Sequence, residues 1–199
     1  MYCTLDQALD DFRRGEFLVL VDAHDRENEG DLIVAAQFVT AEKINLMLRE
    51  ARGMFHLPTT EEHLQRRGIP LIEPRNGDNN TPRFGYPFDA REGVGTGISV
   101  QARAKSIHTF LRDDVTADDF VVPGHILPLA THPQGMAARQ GHTEGSVELA
   151  RLAGLFPAAA MSEVLTPDGD MARGEALGDF ARHIGCRVID VAQVAAAVT

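Results

Sequence analysis

Apolar positions along the chain alternate between two periods. "TLDQALDDFRRGE" (4–16) places Leu5, Ala8, Leu9 and Phe12 at helical spacing, and Thr4 stands where an N-cap belongs. "FLVLVD" (17–22) is a continuous β-branched run, the pattern of a strand buried on both faces, and "DLIVAAQ" (31–37) predicts a second strand. "TAEKINLMLREARG" (40–53) predicts a helix capped by Thr40 and stopped at Gly53. A short strand "MFHLP" (54–58) and a short polar helix "TEEHLQRRG" (60–68) follow. The period then breaks in "EPRNGDNNTPRFGYP" (73–87), whose three Pro, two Gly and three Asn predict a long mobile loop of the kind that serves as a lid.

Helical period resumes in "SVQARAKSIHTFLRD" (99–113) behind Ser99. Next come a strand "HILPLATH" (125–132), a helix "TEGSVELARLAG" (143–154) capped by Thr143, and a strand "AAAMSEVL" (158–165). The pattern closes with a helix "GEALGDFARHIG" (174–185) and a strand "CRVID" (186–190). Strands and helices alternate, with some strands adjacent. That order predicts an α/β (α+β type) fold: one domain over residues 1–199, with a mixed twisted sheet covered by helices on both faces.

Composition narrows the function classes. A 199-residue chain with 44% apolar residues can bury a sizeable core as one domain. The formal net charge of -10 argues against nucleic acid and against anionic membranes as partners. No apolar stretch approaches the roughly 20 residues that span a bilayer, and the acidic N-terminus has no signal-peptide core. Two isolated cysteines, Cys3 and Cys186, indicate neither a disulfide framework nor a zinc site and suit the cytoplasm.

Four stretches carry candidate chemistry. "DRENEGDL" (25–32) crowds Glu27, Glu29 and Asp31 beside Arg26, where acids repel unless a cation sits among them. Mg²⁺, an oxygen-seeking cation that takes one or two protein carboxylates, would serve; the alternative is a solvated acidic turn paired with Arg26. "RQGHTEGSVEL" (139–149) presents Arg139, Gly141, His142 and Thr143 at a helix start, where free N–H groups attract phosphate. His142 there is either a metal ligand or an ordinary loop residue, and Glu144 suits the first turn as an acid. "VPGHILPL" (122–129) places His125 after a Pro-Gly turn. Glu163 interrupts an apolar strand, so it is either an acid/base group or an edge residue facing water. Glu27 and His142 on a metal, with Glu29, Asp31, Glu163 and His125 moving protons, would suit enolisation and rearrangement of a hydroxy-ketone.

Taken in order, "DRENEGDL", "PGH", "RQGHTE", "LARLAGL" and "PDGDMAR" resemble the 3,4-dihydroxy-2-butanone 4-phosphate synthase family of riboflavin biosynthesis, over about residues 5–194. The resemblance implies conversion of D-ribulose 5-phosphate to 3,4-dihydroxy-2-butanone 4-phosphate and formate. It also implies a Mg²⁺ cofactor, with Mn²⁺ accepted by similar ligands, and a homodimer with active sites near the subunit interface. By motif, Arg26, Glu27, Asp31, Arg139, Gly141, His142 and Thr143 are expected to meet the sugar phosphate. Glu27 and His142 are expected to hold the metal, and His125, Glu163 and Glu29 to be catalytic. The expected unit carries no fused GTP cyclohydrolase II domain.

Several positions depart from the family pattern. Ala23 and His24 replace two acids of "DDED", His56 stands where the family has Cys, Gly95 replaces a Thr, and Ala102 an Asp. Ser162 replaces the Cys before Glu163, and the segment before Asp89 is some four residues shorter. These changes leave a paralogue with another reaction, or a catalytically silent binding subunit, as alternatives to an active synthase.

Overall fold

Leu18, Leu20, Ile33 and Ala35 are buried on one side of a sheet, and Val19, Val21, Leu32 and Val34 on the other. That explains why the "LVLV" and "LIVA" runs have no polar positions. The chain is described by a computed structural model over residues 2–23, 26–77 and 81–198. In chain order its main elements are α1 (Leu5–Arg13), β1 (Leu18–Val21), β2 (Gly30–Ala35), α2 (Ala41–Leu46), β3 (Arg52–Thr59), α3 (Glu61–Arg66), β4 (Arg83–Phe84) and β5 (Phe88–Ala90). They continue as α4 (Val100–Phe110), β6 (Phe120–Ala130), α5 (His142–Leu152), β7 (Ala159–Val164), α6 (Glu175–Ile184), β8 (Arg187–Asp190) and α7 (Val191–Val198).

The strands form one mixed sheet in the order β4-β6-β3-β7-β2-β1-β8, with β5 on the outer end of β6. β1–β2, β2–β7 and β3–β7 run antiparallel, while β1–β8 and β3–β6 run parallel. Leu18, Leu20 and Ile33 pack with Ala8 and Phe12 of α1, Leu149 of α5 and Val194 of α7. The opposite face packs with Ile44 of α2, Ile107 and Phe110 of α4, and Leu177 of α6. The expected architecture, a mixed sheet with helices on both faces, is the one found.

Several elements depart locally from the expected pattern. Thr40 caps α2 as expected, but the helix loosens into a π-helical turn over Met47–Ala51 and ends at Arg52, whose φ is 68°. Gly53 is therefore a strand residue. Pro123 and Gly124 lie inside the 11-residue β6, so His125 follows no turn. α5 starts two residues early: Gly141 is its N-cap, His142 its first residue, and Thr143 makes no cap bond. The stretch 73–87 is not one free loop. Residues 78–80 lie outside the described residues, but Arg83 donates to the Thr131 carbonyl (2.7 Å) and pairs with Glu61 (2.6 Å), and Gly85 N–H bonds Pro128 O (2.9 Å). A strand as short as β4 offers no period to read, and α7, an alanine-rich helix after "CRVID", went unread because its polar face is a single Gln193.

Candidate active site

Asp22 directly follows β1 and organises the acidic connection to β2. Its carboxylate is buried and accepts the N–H groups of Glu29 (2.9 Å) and Glu27 (3.2 Å) and the Arg26 guanidinium (2.6 Å). Burial raises its pKa, but the Glu29 N–H, His142 and Arg26 outweigh that and hold it below the ordinary carboxylate value. Arg26 spans Asp22 and Glu27 (2.7 Å), so the turn is partly self-neutralised. Glu29 points to Arg173 (2.5 Å); burial nonetheless leaves its pKa raised.

Asp22, Glu27 and His142 each offer a ligand atom, all within 4.8 Å of one another. His142 Nε2 lies 3.3 Å from the Glu29 carbonyl oxygen. An N–H there donates to that carbonyl and leaves the Nδ1 lone pair 3.9 Å from both Glu27 and Asp31. Two carboxylates and an imidazole, with Glu27 3.9 Å from Nδ1 and Asp22 3.9 Å from Nε2, fit a divalent cation such as Mg²⁺. Asp22 is a donor that the sequence reading did not place on the metal.

A cavity of about 210 Å³ opens beside this cluster. Arg26, Glu27, Glu29, Asp31, Arg139, His142, Thr143 and Glu163 line it with His56, Phe84, Pro82, Leu129 and Met161. Asp31 faces Glu163 across the β2–β7 ladder. Burial drives the Asp31 pKa up to about 6, with Glu163 adding to the rise and His142 opposing it. Glu163 behaves oppositely. Burial raises it, but hydrogen bonds from His56 Nε2 (3.0 Å) and the Met54 N–H (2.8 Å) bring it below its ordinary value.

At the start of α5, Gly141 is required by space. An added Cβ would lie 2.8 Å from Arg139 Nη1 and 3.1 Å from Glu144 Oε2. Glu144 is buried and accepts from Arg139 (2.8 Å) and from the His132 N–H (2.8 Å), so it is an internal counter-ion rather than a surface capping acid.

His125 is placed elsewhere. It does not line the cavity; its Nδ1 lies 2.6 Å from Asp89, which also accepts the His125 N–H at 3.1 Å. Asp89 as its partner was missed, because the two are 36 positions apart and only the β5–β6 pairing joins them. Gly95 (φ +57°) and Ala102, in the first turn of α4, also lie off the cavity, and Ala23 is exposed. His24 lies outside the described residues.

Comparison with known proteins decides the family. Residues 6–197 match the family described as 3,4-dihydroxy-2-butanone 4-phosphate synthase. The chain belongs to this family. It is 43% identical over 191 residues to the 3,4-dihydroxy-2-butanone 4-phosphate synthase of Pseudomonas aeruginosa, covering 96% of this chain and 52% of that one. It is 42% identical over 193 residues to that of Campylobacter jejuni, covering 97% and 57%. The chain thus spans about half the length of the curated relatives it matches. Among solved structures, a 3,4-dihydroxy-2-butanone 4-phosphate synthase in complex with two magnesium ions superposes with a TM-score of 0.92 at 33% identity, covering 99% of this chain and 97% of that one. A two-domain synthase from A. baumannii gives 0.91 at 39% identity, covering 96% and 56%. Among the described residues no helix is long and apolar enough to cross a membrane.

Proposed function

We propose that this chain converts D-ribulose 5-phosphate to 3,4-dihydroxy-2-butanone 4-phosphate and formate, through enediolate formation, skeletal rearrangement and loss of C4. The observation that carries this reading is one cavity in which the Asp22–Glu27–His142 donor set adjoins two facing carboxylates with separated proton affinities. Glu27 and His142, with Asp22, would hold Mg²⁺, or Mn²⁺ in its place. When bound, such a cation polarises a sugar carbonyl. The N–H groups at the start of α5, from His142 and Thr143 onward, would hold the phosphate. Glu144 offsets much of Arg139's charge, so Arg139 would serve mainly to shape that helix start. Arg26 and Asp31 would orient the sugar hydroxyls. Glu163, kept ionised by two N–H donors, would take a proton from the substrate, while Asp31, with a value of about 6, would exchange one near neutral pH. Glu29 would be the remaining acid of the turn.

Ile98, Val121 and Val122 are exposed, and the two valines lie on β6 four and three residues before His125. Such a patch suits contact with a second copy. We assign the active form as a homodimer, and any catalytic use of His125 would depend on the second copy bringing it to a cavity. The thiols of Cys3 and Cys186 are unpaired, in keeping with a cytoplasmic setting.

The test is direct. The purified protein is incubated with D-ribulose 5-phosphate and Mg²⁺, and the products are followed by NMR. Formate and a four-carbon phosphate should appear together and vanish with EDTA. An untouched sugar phosphate, or a product without formate, overturns the reading.

A further inference from the structure

His56 has no assigned role, yet it is among the least exposed polar side chains of the cavity wall, at 2%. It lies on β3, paired with Leu127 of β6 and Met161 of β7, and the Phe84 ring covers it at 5.8 Å. Of its two ring nitrogens, Nε2 is 3.0 Å from Glu163 Oε1. Nδ1 is buried with no hydrogen-bond partner among the described residues. That asymmetry selects one protonation state. An imidazolium would leave a buried Nδ1–H with no acceptor, and the Nδ1–H tautomer would both strand that donor and set a lone pair against a carboxylate. The neutral Nε2–H tautomer satisfies the carboxylate and leaves only an acceptor unpaired.

We propose that His56 is a positioning residue: a neutral imidazole that donates through Nε2 to Glu163 Oε1 and fixes that carboxylate in the cavity. Glu163 then has each oxygen held by one donor, His56 on Oε1 and the Met54 N–H on Oε2. Its carboxylate plane is set by β3, and each oxygen keeps a lone pair for a ligand's proton. The backbone donor cannot be mutated away, so His56 is the adjustable half of the clamp. The catalytic use of this clamp rests on the proposed lyase reading; the clamp itself does not.

The test therefore has two parts. In protein labelled with ¹⁵N-histidine, two-bond ¹H–¹⁵N spectra should show His56 as the Nε2–H tautomer near neutral pH, and Glu163→Gln should shift that Nε2 resonance. A protonated Nδ1, or a resonance indifferent to Glu163→Gln, overturns the proposal whatever the protein catalyses. In the formate assay, His56→Ala should lower kcat about 10–100-fold, the usual effect of losing a residue that orients a site group, with KM little changed. His56→Gln, whose amide N–H can replace Nε2–H, should recover most of that loss. An unchanged kcat in a folded His56→Ala protein, or failure of His56→Gln to recover activity, overturns the positioning role. If the unmodified protein releases no formate, the lyase reading fails while the spectra still decide the clamp.

Discussion

Asp31 and Glu163 are direct cross-strand partners on β2 and β7, and they have opposite proton affinities. Glu163 is held ionised by two N–H donors; among the described residues no donor bonds the Asp31 side chain, and burial pushes its pKa up to about 6. A group whose folded-state value is raised favours the fold below its unfolded value, here 3.8, and loses that advantage as pH rises through 6. Asp31→Asn removes the burden. In EDTA, its stability relative to the unmodified protein should improve by roughly 2 kcal/mol between pH 4 and pH 8. Denaturant unfolding at the two pH values measures this, and a pH-independent difference would show that Asp31 ionises without strain. Formate release should fall in the same variant.

The metal cluster makes a prediction independent of turnover. Glu27→Gln and His142→Ala should each weaken Mn²⁺ binding, read by electron paramagnetic resonance, more than tenfold, without loss of fold. Asp22→Ala should do so and also destabilise the protein by about 1–3 kcal/mol, because the N–H groups of Glu27 and Glu29 lose their acceptor. Asp22's own value is depressed, so its contribution is present above 3.8 and disappears as pH falls through the folded value. The Asp22→Ala deficit should therefore shrink in acid. Undiminished binding by the Glu27 and His142 variants would remove them from the site.

The sheet and its covering helices were legible because burial on one or two faces writes itself into a period. The acidic turn and the α5 start were legible because charge crowding and Gly-His-Thr are unusual patterns. Long-range pairing is what stayed hidden. His125 with Asp89, and His56 with Glu163 (107 positions apart), are joined only by strand register. Thr commonly caps, which makes Thr143 the natural choice, but the N-cap is Gly141, two residues earlier, with the Arg139 guanidinium packed against it and bonded to Glu144. Arg52, left-handed at φ 68°, ends the preceding helix where Gly53 was the natural choice.

The Arg139–Glu144 pair joins a cavity-lining cation to a buried carboxylate. Both side chains are largely buried, at 14% and 1% exposed. Removing one partner of a buried pair typically costs about 3–5 kcal/mol, because the other charge remains desolvated. Glu144→Ala should approach that loss in denaturant unfolding, since the His132 N–H also loses its acceptor. Glu144→Gln keeps the side-chain volume and an acceptor for the His132 N–H, loses only the oxygen that accepts from Arg139, and should cost less. Equal losses would mean that the carboxylate paired with Arg139 carries the whole effect, and that packing and the His132 bond add nothing.

Gly53 links the backbone of β3 to the site carboxylate. A Cβ there would lie 2.3 Å from the Glu163 carbonyl oxygen and 2.6 Å from Glu163 Oε2, with backbone that cannot move aside cheaply. Gly53→Ala must push β7 away or turn the Glu163 side chain off its Met54 bond. The expected result is a loss of about 1–3 kcal/mol, as for other overpacked sites, and a fall in kcat larger than any change in KM. Gly178 in α6 is the matched control. Its nearest neighbour to an added Cβ is the mobile end of Arg182 at 3.6 Å, and Ala in a helix interior gains about 0.5–1 kcal/mol over Gly. If Gly53→Ala behaves like Gly178→Ala in both unfolding and turnover, the placement of Glu163 does not depend on the close approach of these two strands.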